Sequence, residues 1–154
     1  MPVYFLDSSA LAKRYMVETG TAWITTLTEA ASGNECWLAT ITAVELVAAL
    51  YRKARTGSHP LAAAQQAEAQ FRSELATHFR RLAATSVILD GAMGLAAAHP
   101  LRAYDAVQLA SALRLQRRRA ARGWPALTFV SADQNLNRVA AAKGLSVDDP
   151  KQHP

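Results

Sequence analysis

The sequence predicts an α/β fold: a central, mostly parallel sheet of four to five strands flanked by helices. Two observations predict it. Short apolar runs recur at 3–6, 36–39, 87–89, 127–130 and, more weakly, 146–147, and runs that are apolar throughout suit parallel strands covered on both faces. Between them lie longer stretches with helical spacing, so strand and helix alternate as in a doubly wound sheet with right-handed crossovers.

Each element follows in order. Val3-Tyr4-Phe5-Leu6 is the opening strand, and a helix over 8–18 carries Leu11, Ala12, Tyr15 and Met16 before Gly20 stops it. A second helix over 21–31 carries Trp23, Ile24 and Leu27 and ends at Gly33. After the strand at 36–39, helices over 43–55 and 59–84 form a hairpin that protrudes from the sheet; Pro60 sits in a first-turn position of the second. Its stripe Ala64, Ala67, Phe71, Leu75, Phe79, Leu82 keeps helical spacing. The run at 87–89 reads as a strand, followed by helices over 90–98 and 103–121. The last helix, over 133–143, is stopped by Gly144. Residues 1–148 thus read as one domain, and the polar stretch 149–154, with Pro150 and Pro154, as a flexible C-terminal tail.

Composition excludes several classes. With 154 residues, 51% hydrophobic and 19% charged, the chain suits one domain with its own core and not a disordered tail. The single cysteine, Cys36, forms no internal bridge and belongs to no Cys/His zinc framework. The opening apolar run is cut by Asp7 and followed by Lys13-Arg14, too short and interrupted for a signal peptide or a membrane span. The expectation is a cytoplasmic protein without membrane attachment. The formal charge of +5 favours acidic partners such as nucleic acid, though it equally serves solubility.

Where the acids fall is more informative. Ligands of open α/β sheets bind beyond the carboxyl ends of the strands, near a switch in strand order. Asp7 directly follows the first strand, Asp133 follows the strand at 127–130, Asp105 opens a helix, and Glu45 lies in the first turn after the second strand. All four fall on one rim. Taken singly, each has a plainer reading: Asp7, Asp105 and Asp133 as helix N-caps, and Thr42-x-x-Glu45 as a capping box. Their conjunction in apolar surroundings favours a site, because buried carboxylates need partners. Two unit charges at ~4 Å repel by ~4 kcal/mol at an effective dielectric near 20. A hard divalent cation removes that cost, prefers oxygen ligands, and activates water against phosphoryl groups.

The segments Phe5-Leu6-Asp7-Ser8-Ser9-Ala10-Leu11-Ala12-Lys13-Arg14-Tyr15, Thr42-Ala43-Val44-Glu45-Leu46, Tyr104-Asp105-Ala106-Val107-Gln108-Leu109-Ala110 and Phe129-Val130-Ser131-Ala132-Asp133 together resemble the PIN-domain family, in particular VapC-type toxins of toxin–antitoxin pairs. They run in the family's order and span nearly the whole chain. The resemblance implies a PIN-like fold over 1–148 and a Mg²⁺- or Mn²⁺-dependent endoribonuclease. It places Asp7, Glu45, Asp105 and Asp133 on the family's four acidic positions, and Ser9 on its small polar residue that supports the first acid. It further implies a homodimer and a cognate VapB-like antitoxin. On this reading Asp7, Glu45 and Asp105 hold the main ion, and Asp133 serves a second ion or orients water. In-line attack on phosphorus then leaves a 5′-phosphate and a 3′-hydroxyl.

Other phosphoryl-transfer folds fit less well: a haloacid-dehalogenase-like site wants Asp-x-Asp after the first strand, where Ser9 stands here. The alternative from another class is a non-catalytic PIN-like module that binds RNA or protein. Setting the four acids aside leaves eight acids against seventeen bases, a cationic scaffold around a negative focus. Lys13 and Arg102 are the expected phosphate contacts, against a plainer role in a solvated face or in a salt bridge to a site acid. The cluster Arg114, Arg117, Arg118, Arg119, Arg122 begins nine residues past Asp105, and Arg117 falls ~18 Å along the helix. It reads as cations at a helix C-terminus, or otherwise as a distal RNA or antitoxin contact. The histidines show no ligand spacing, and Trp23, Trp37 and Trp124 read as packing residues.

Overall fold

Alternation along the first strand divides the molecule. In the computed structural model, which describes residues 1–154, Val3 and Phe5 of β1 (Val3–Leu6) enter one core and Leu6 enters the other, as side chains of a strand must. The remaining strands are β2 (Glu35–Ala39), β3 (Arg80–Leu82), β4 (Thr128–Val130) and β5 (Ser146–Asp148). They form one sheet in the order β3-β2-β1-β4-β5, and every neighbouring pair is parallel. The chain builds outward from β1 through β2 and β3, then crosses to lay β4 on the other side of β1. The switch in strand order therefore lies at β1 and β4, where Phe5 pairs with Phe129 and Leu6 with Val130.

Helices cover both faces. With Leu6 pack α1 (Ser8–Tyr15), α2 (Thr21–Thr28), α3 (Thr40–Arg55) and α4 (Leu61–Leu75), through Leu11, Ile24, Leu27, Leu46, Leu50 and Phe71. With Val3 and Phe5 pack α5 (Ser86–Ala98), α6 (Ala103–Ala120) and α7 (Gln134–Ala142), through Ile88, Leu95, Leu109, Leu115, Leu136 and Val139. The helical hairpin of α3 and α4 is present. Away from its turn it is tied to α1: Arg14 donates to both carboxylate oxygens of Glu74, at 2.8 and 3.1 Å, and the Tyr15 hydroxyl donates to Glu74 at 2.6 Å. No helix is long and apolar enough to cross a membrane.

Three local expectations are corrected. Residues 87–89 are helical, not a strand. Thr85 caps α5 by accepting from the Ile88 N–H, and Ile88, Ala92 and Leu95 face inward while Val87 and Leu89 stay exposed; that spacing is helical. The third strand is instead Arg80–Leu82, inside the stretch read as one long helix over 59–84. It lies at the sheet edge with only Leu82 buried, so no apolar run announces it, and its arginines discourage further edge pairing. Phe79 and Leu82 are buried as the stripe requires, but from extended chain beyond the end of α4. Finally, 149–154 packs where a flexible tail is expected. A 3₁₀ turn at Pro150–Gln152 is capped by Asp149, Pro150 is buried, and His153 stacks on Trp23 with centroids 4.0 Å apart. Gly20, at φ +91°, admits this segment: a Cβ there would lie 2.3 Å from the Pro150 carbonyl oxygen.

Candidate functional site

A cavity of about 490 Å³ opens beside the strand-order switch, and Asp7, Glu45, Asp105 and Asp133 all line it, with Ser9, Arg52, Arg102 and Tyr104. Residues spread over most of the chain meet there because β1 and β4 are neighbours and α3 and α6 begin at the same rim.

Asp7 is both helix cap and cavity wall. It is 2% exposed. It accepts from the Ala10 N–H at 2.9 Å, from Ser9 Oγ at 2.8 Å and from Ser131 Oγ at 2.7 Å. The two serines relay the loop after β4: Ser9 Oγ accepts from the Ala132 N–H and Ser131 Oγ from the Asp133 N–H. Even so, burial pushes the Asp7 carboxyl up to about 6, with the charge of Asp105 adding to it; these hydrogen bonds only partly offset the lost hydration.

Glu45 is not part of a capping box. The α3 helix starts at Thr40, two residues before Thr42. Thr42 is buried and bonds to Gln108. The Glu45 carboxylate accepts from Gln108 Nε2 at 2.7 Å and from Ser8 Oγ at 3.2 Å. Burial raises its pKa, and the negative charge of Asp105 raises it further; Gln108, Ser8 and Arg102 pull the other way.

Asp105 lies in the first turn of α6 and caps nothing; its Oδ2 accepts from Arg102 Nε at 3.0 Å. Asp133 caps α7 through Oδ1 on the Leu136 N–H, and its Oδ2 is 3.5 Å from Arg102 Nη2. The cap reading thus holds for Asp7 and Asp133 and fails for Asp105 and Glu45. Arg102, with its side chain 81% exposed, bridges two acids at the cavity mouth. As the side chains lie, no three carboxylates surround one point at ligating distance; Asp105 and Asp133 are turned to the guanidinium. The donor set itself is all carboxylate oxygen with hydroxyl support, the chemistry that suits Mg²⁺ or Mn²⁺.

Lys13 does not join this cavity. It is buried, and its ammonium pairs with Glu18 at 3.1 Å, so this cation serves the packing of α1 and not phosphate. Arg102 takes the plainer of its two readings, a salt bridge to site acids. Sequence reasoning missed Ser8, Arg52, Gln108 and Ser131 as site partners. Arg52 is seven residues past Glu45 on α3, and Gln108 interrupts an apolar run three residues past Asp105; helical spacing could have found both.

The arginine cluster is divided. Arg119 is buried, bonded to Glu35 at 3.1 Å and to the Pro125 carbonyl at 2.7 Å. Arg114 and Arg117 line a separate cavity with Lys143. Arg122 bonds the Arg118 carbonyl near the end of α6, as the C-terminal reading expects. Trp124 is 54% exposed beneath the guanidinia of Arg119 and Arg122, which corrects its reading as a packing residue.

Comparison with known proteins identifies the family and the fold. The PIN domain family model matches residues 4–142. Ribonuclease VapC45 of Mycobacterium tuberculosis is 34% identical over 158 residues, covering both chains completely. The solved structure of VapBC2 from Rickettsia felis, bound to a DNA fragment from its promoter, superposes with a TM-score of 0.63 at 11% identity, covering 96% of this chain and 98% of that one. The sarcin–ricin loop cleaving toxin VapC20 of Mycobacterium tuberculosis superposes with a TM-score of 0.62 at 17% identity, covering 92% and 95%.

Proposed function

The chain belongs to the PIN domain family, and on that premise we propose that it is a divalent-metal-dependent endoribonuclease, the toxin of a toxin–antitoxin pair acting in the cytoplasm. One observation carries the reading: four carboxylates from Asp7 to Asp133 line a single cavity at the switch in strand order. Asp7, Glu45 and Asp105 would hold a Mg²⁺ or Mn²⁺ ion, with Asp133 beside them. When bound, such an ion supplies charge neutralisation and an activated water for phosphodiester hydrolysis.

The chain's own residues do the rest. Ser9 and Ser131 orient the Asp7 carboxylate. Asp133, fixed by capping α7 through one oxygen, leaves the other to Arg102 at the cavity mouth. Arg102 and Arg52 place positive charge at the rim, where an RNA phosphate would enter. Arg102 would exchange its carboxylate partners for that phosphate. A homodimer and a cognate VapB-like antitoxin belong to the same proposal, as the motif resemblance implies.

Incubation of purified protein with total RNA, with and without Mg²⁺, tests the reading. New ends carrying 5′-phosphate and 3′-hydroxyl are expected. A 2′,3′-cyclic phosphate product, or full activity in excess EDTA, overturns it. RNA that is bound but never cut points instead to the binding module.

A further inference from the structure

Gln108 is 1% exposed and sits three residues beyond Asp105 on α6, among Val107, Leu109 and Ala110. A primary amide buried there needs partners. It has two. Its Nε2 lies 2.7 Å from Glu45 Oε1, and Thr42 Oγ1 lies 3.0 Å from Oε1 and 2.7 Å from Nε2. An ionised carboxylate only accepts hydrogen bonds, so Glu45 faces the amide nitrogen, and the Thr42 hydroxyl can then donate to the amide oxygen. Thr42 is itself fully buried. The chain Thr42–Gln108–Glu45 thus joins the interior of α3, through α6, to a side chain on the cavity wall.

We propose that Gln108 is a positioning residue that holds the Glu45 carboxylate toward the cavity for a divalent cation, an inference that rests on the nuclease reading above. The chemistry explains why an amide stands there. A lysine or arginine would orient Glu45 equally well but would cancel its charge and compete with the cation. A neutral amide donates the bond and leaves the full negative charge to face the ion. Partners that orient metal ligands in this way carry about 10- to 100-fold in metal affinity or activity. Because the amide is anchored on α6 beside Asp105, the same helix sets two of the four acids.

The test is Mn²⁺ binding to the metal-free full chain, followed by calorimetry. Gln108→Met preserves length and approximate volume and removes both polar groups. It is expected to weaken Mn²⁺ binding about 10-fold, with the circular dichroism spectrum unchanged. In a Glu45→Gln background the same substitution should cost nothing further, because its only route to the ion is gone. Wild-type affinity in Q108M, or the same loss in both backgrounds, overturns the proposal. Should Q108M fail to fold, Thr42→Val, which frees the amide to turn, is read in its place with the same two outcomes. Failure of the wild type to bind Mn²⁺ or cleave RNA would instead remove the nuclease reading itself.

Discussion

Ser131 Oγ donates a 2.7 Å hydrogen bond to Asp7 Oδ2 across 124 residues of sequence. This contact joins the ends of β1 and β4, the two strands that flank the switch, and it fixes the most buried acid of the cavity. It does not fully compensate for burial, so the ionised Asp7 carboxylate weighs against the fold.

The Asp7 carboxyl is pushed from 3.8 to about 6, so the folded chain holds this proton more tightly than the unfolded chain does. Stability therefore falls as pH rises from about 4 to about 6, and the whole penalty persists above 6. At about 1.4 kcal/mol per pH unit this approaches ~3 kcal/mol. In EDTA at pH 7, Asp7→Asn should unfold at higher denaturant than wild type, by up to ~3 kcal/mol, and the gain should vanish near pH 4. A variant no more stable at pH 7 would mean the carboxylate already has a compensating partner.

Arg102 and Lys13 should separate cleanly. Arg102 is mostly exposed, so Arg102→Ala should cost under ~1 kcal/mol of stability. Its effect belongs to RNA: Arg102→Glu should raise the RNA concentration for half-maximal cleavage about 10-fold, and Arg102→Ala should reduce the salt dependence by about one ion. Lys13→Met, which loses a buried ion pair with Glu18, should leave that RNA concentration unchanged. Cleavage titrations at several salt concentrations measure all three.

Glu74 makes the opposite pH argument. Although burial raises it, hydrogen bonds from Arg14 and Tyr15 dominate and hold its carboxyl at about 2, below the ordinary 4.5. The stabilisation is complete above about 4.5 and is lost as pH falls toward 2. Glu74→Gln should cost ~2 kcal/mol near neutrality, since it leaves the Arg14 guanidinium without its carboxylate. The cost should shrink as pH falls below 4.5, read from urea midpoints across that range.

Gly20→Ala probes the C-terminal segment. It combines a left-handed backbone conformation with a clash against the Pro150 carbonyl, and should destabilise by at least ~2 kcal/mol. Fluorescence of Trp23, which stacks on His153, should report release of 149–154 in the variant. An unchanged melting temperature and spectrum would mean the segment does not contribute to the fold.

Much of the fold is legible in residue order because its signals are local. Apolar runs mark β1, β2 and β4, helical spacing marks the helices, and glycines mark several of their ends. The strand β3 escapes because Arg80 and Arg81 are exposed at an edge, where burial imposes no pattern. The opening of α5 escapes because Val87-Ile88-Leu89 is apolar throughout; only its exposure tells that one of the three faces the core.

The acids themselves were determined by sequence: Asp7, Glu45, Asp105 and Asp133 follow strands or open helices on one rim, and that placement is written in the order of elements. Tertiary structure alone decided which neighbours reach them. Lys13 and Arg102 look alike in residue type and nearness to an acid, yet one points into the packing of α1 and the other across the cavity mouth. Ser131 and Gln108 meet their carboxylates over separations of 124 and 63 residues. Such contacts depend on which strands lie side by side and how each helix is rotated about its axis, quantities settled by packing of the whole core rather than by any local stretch of chain.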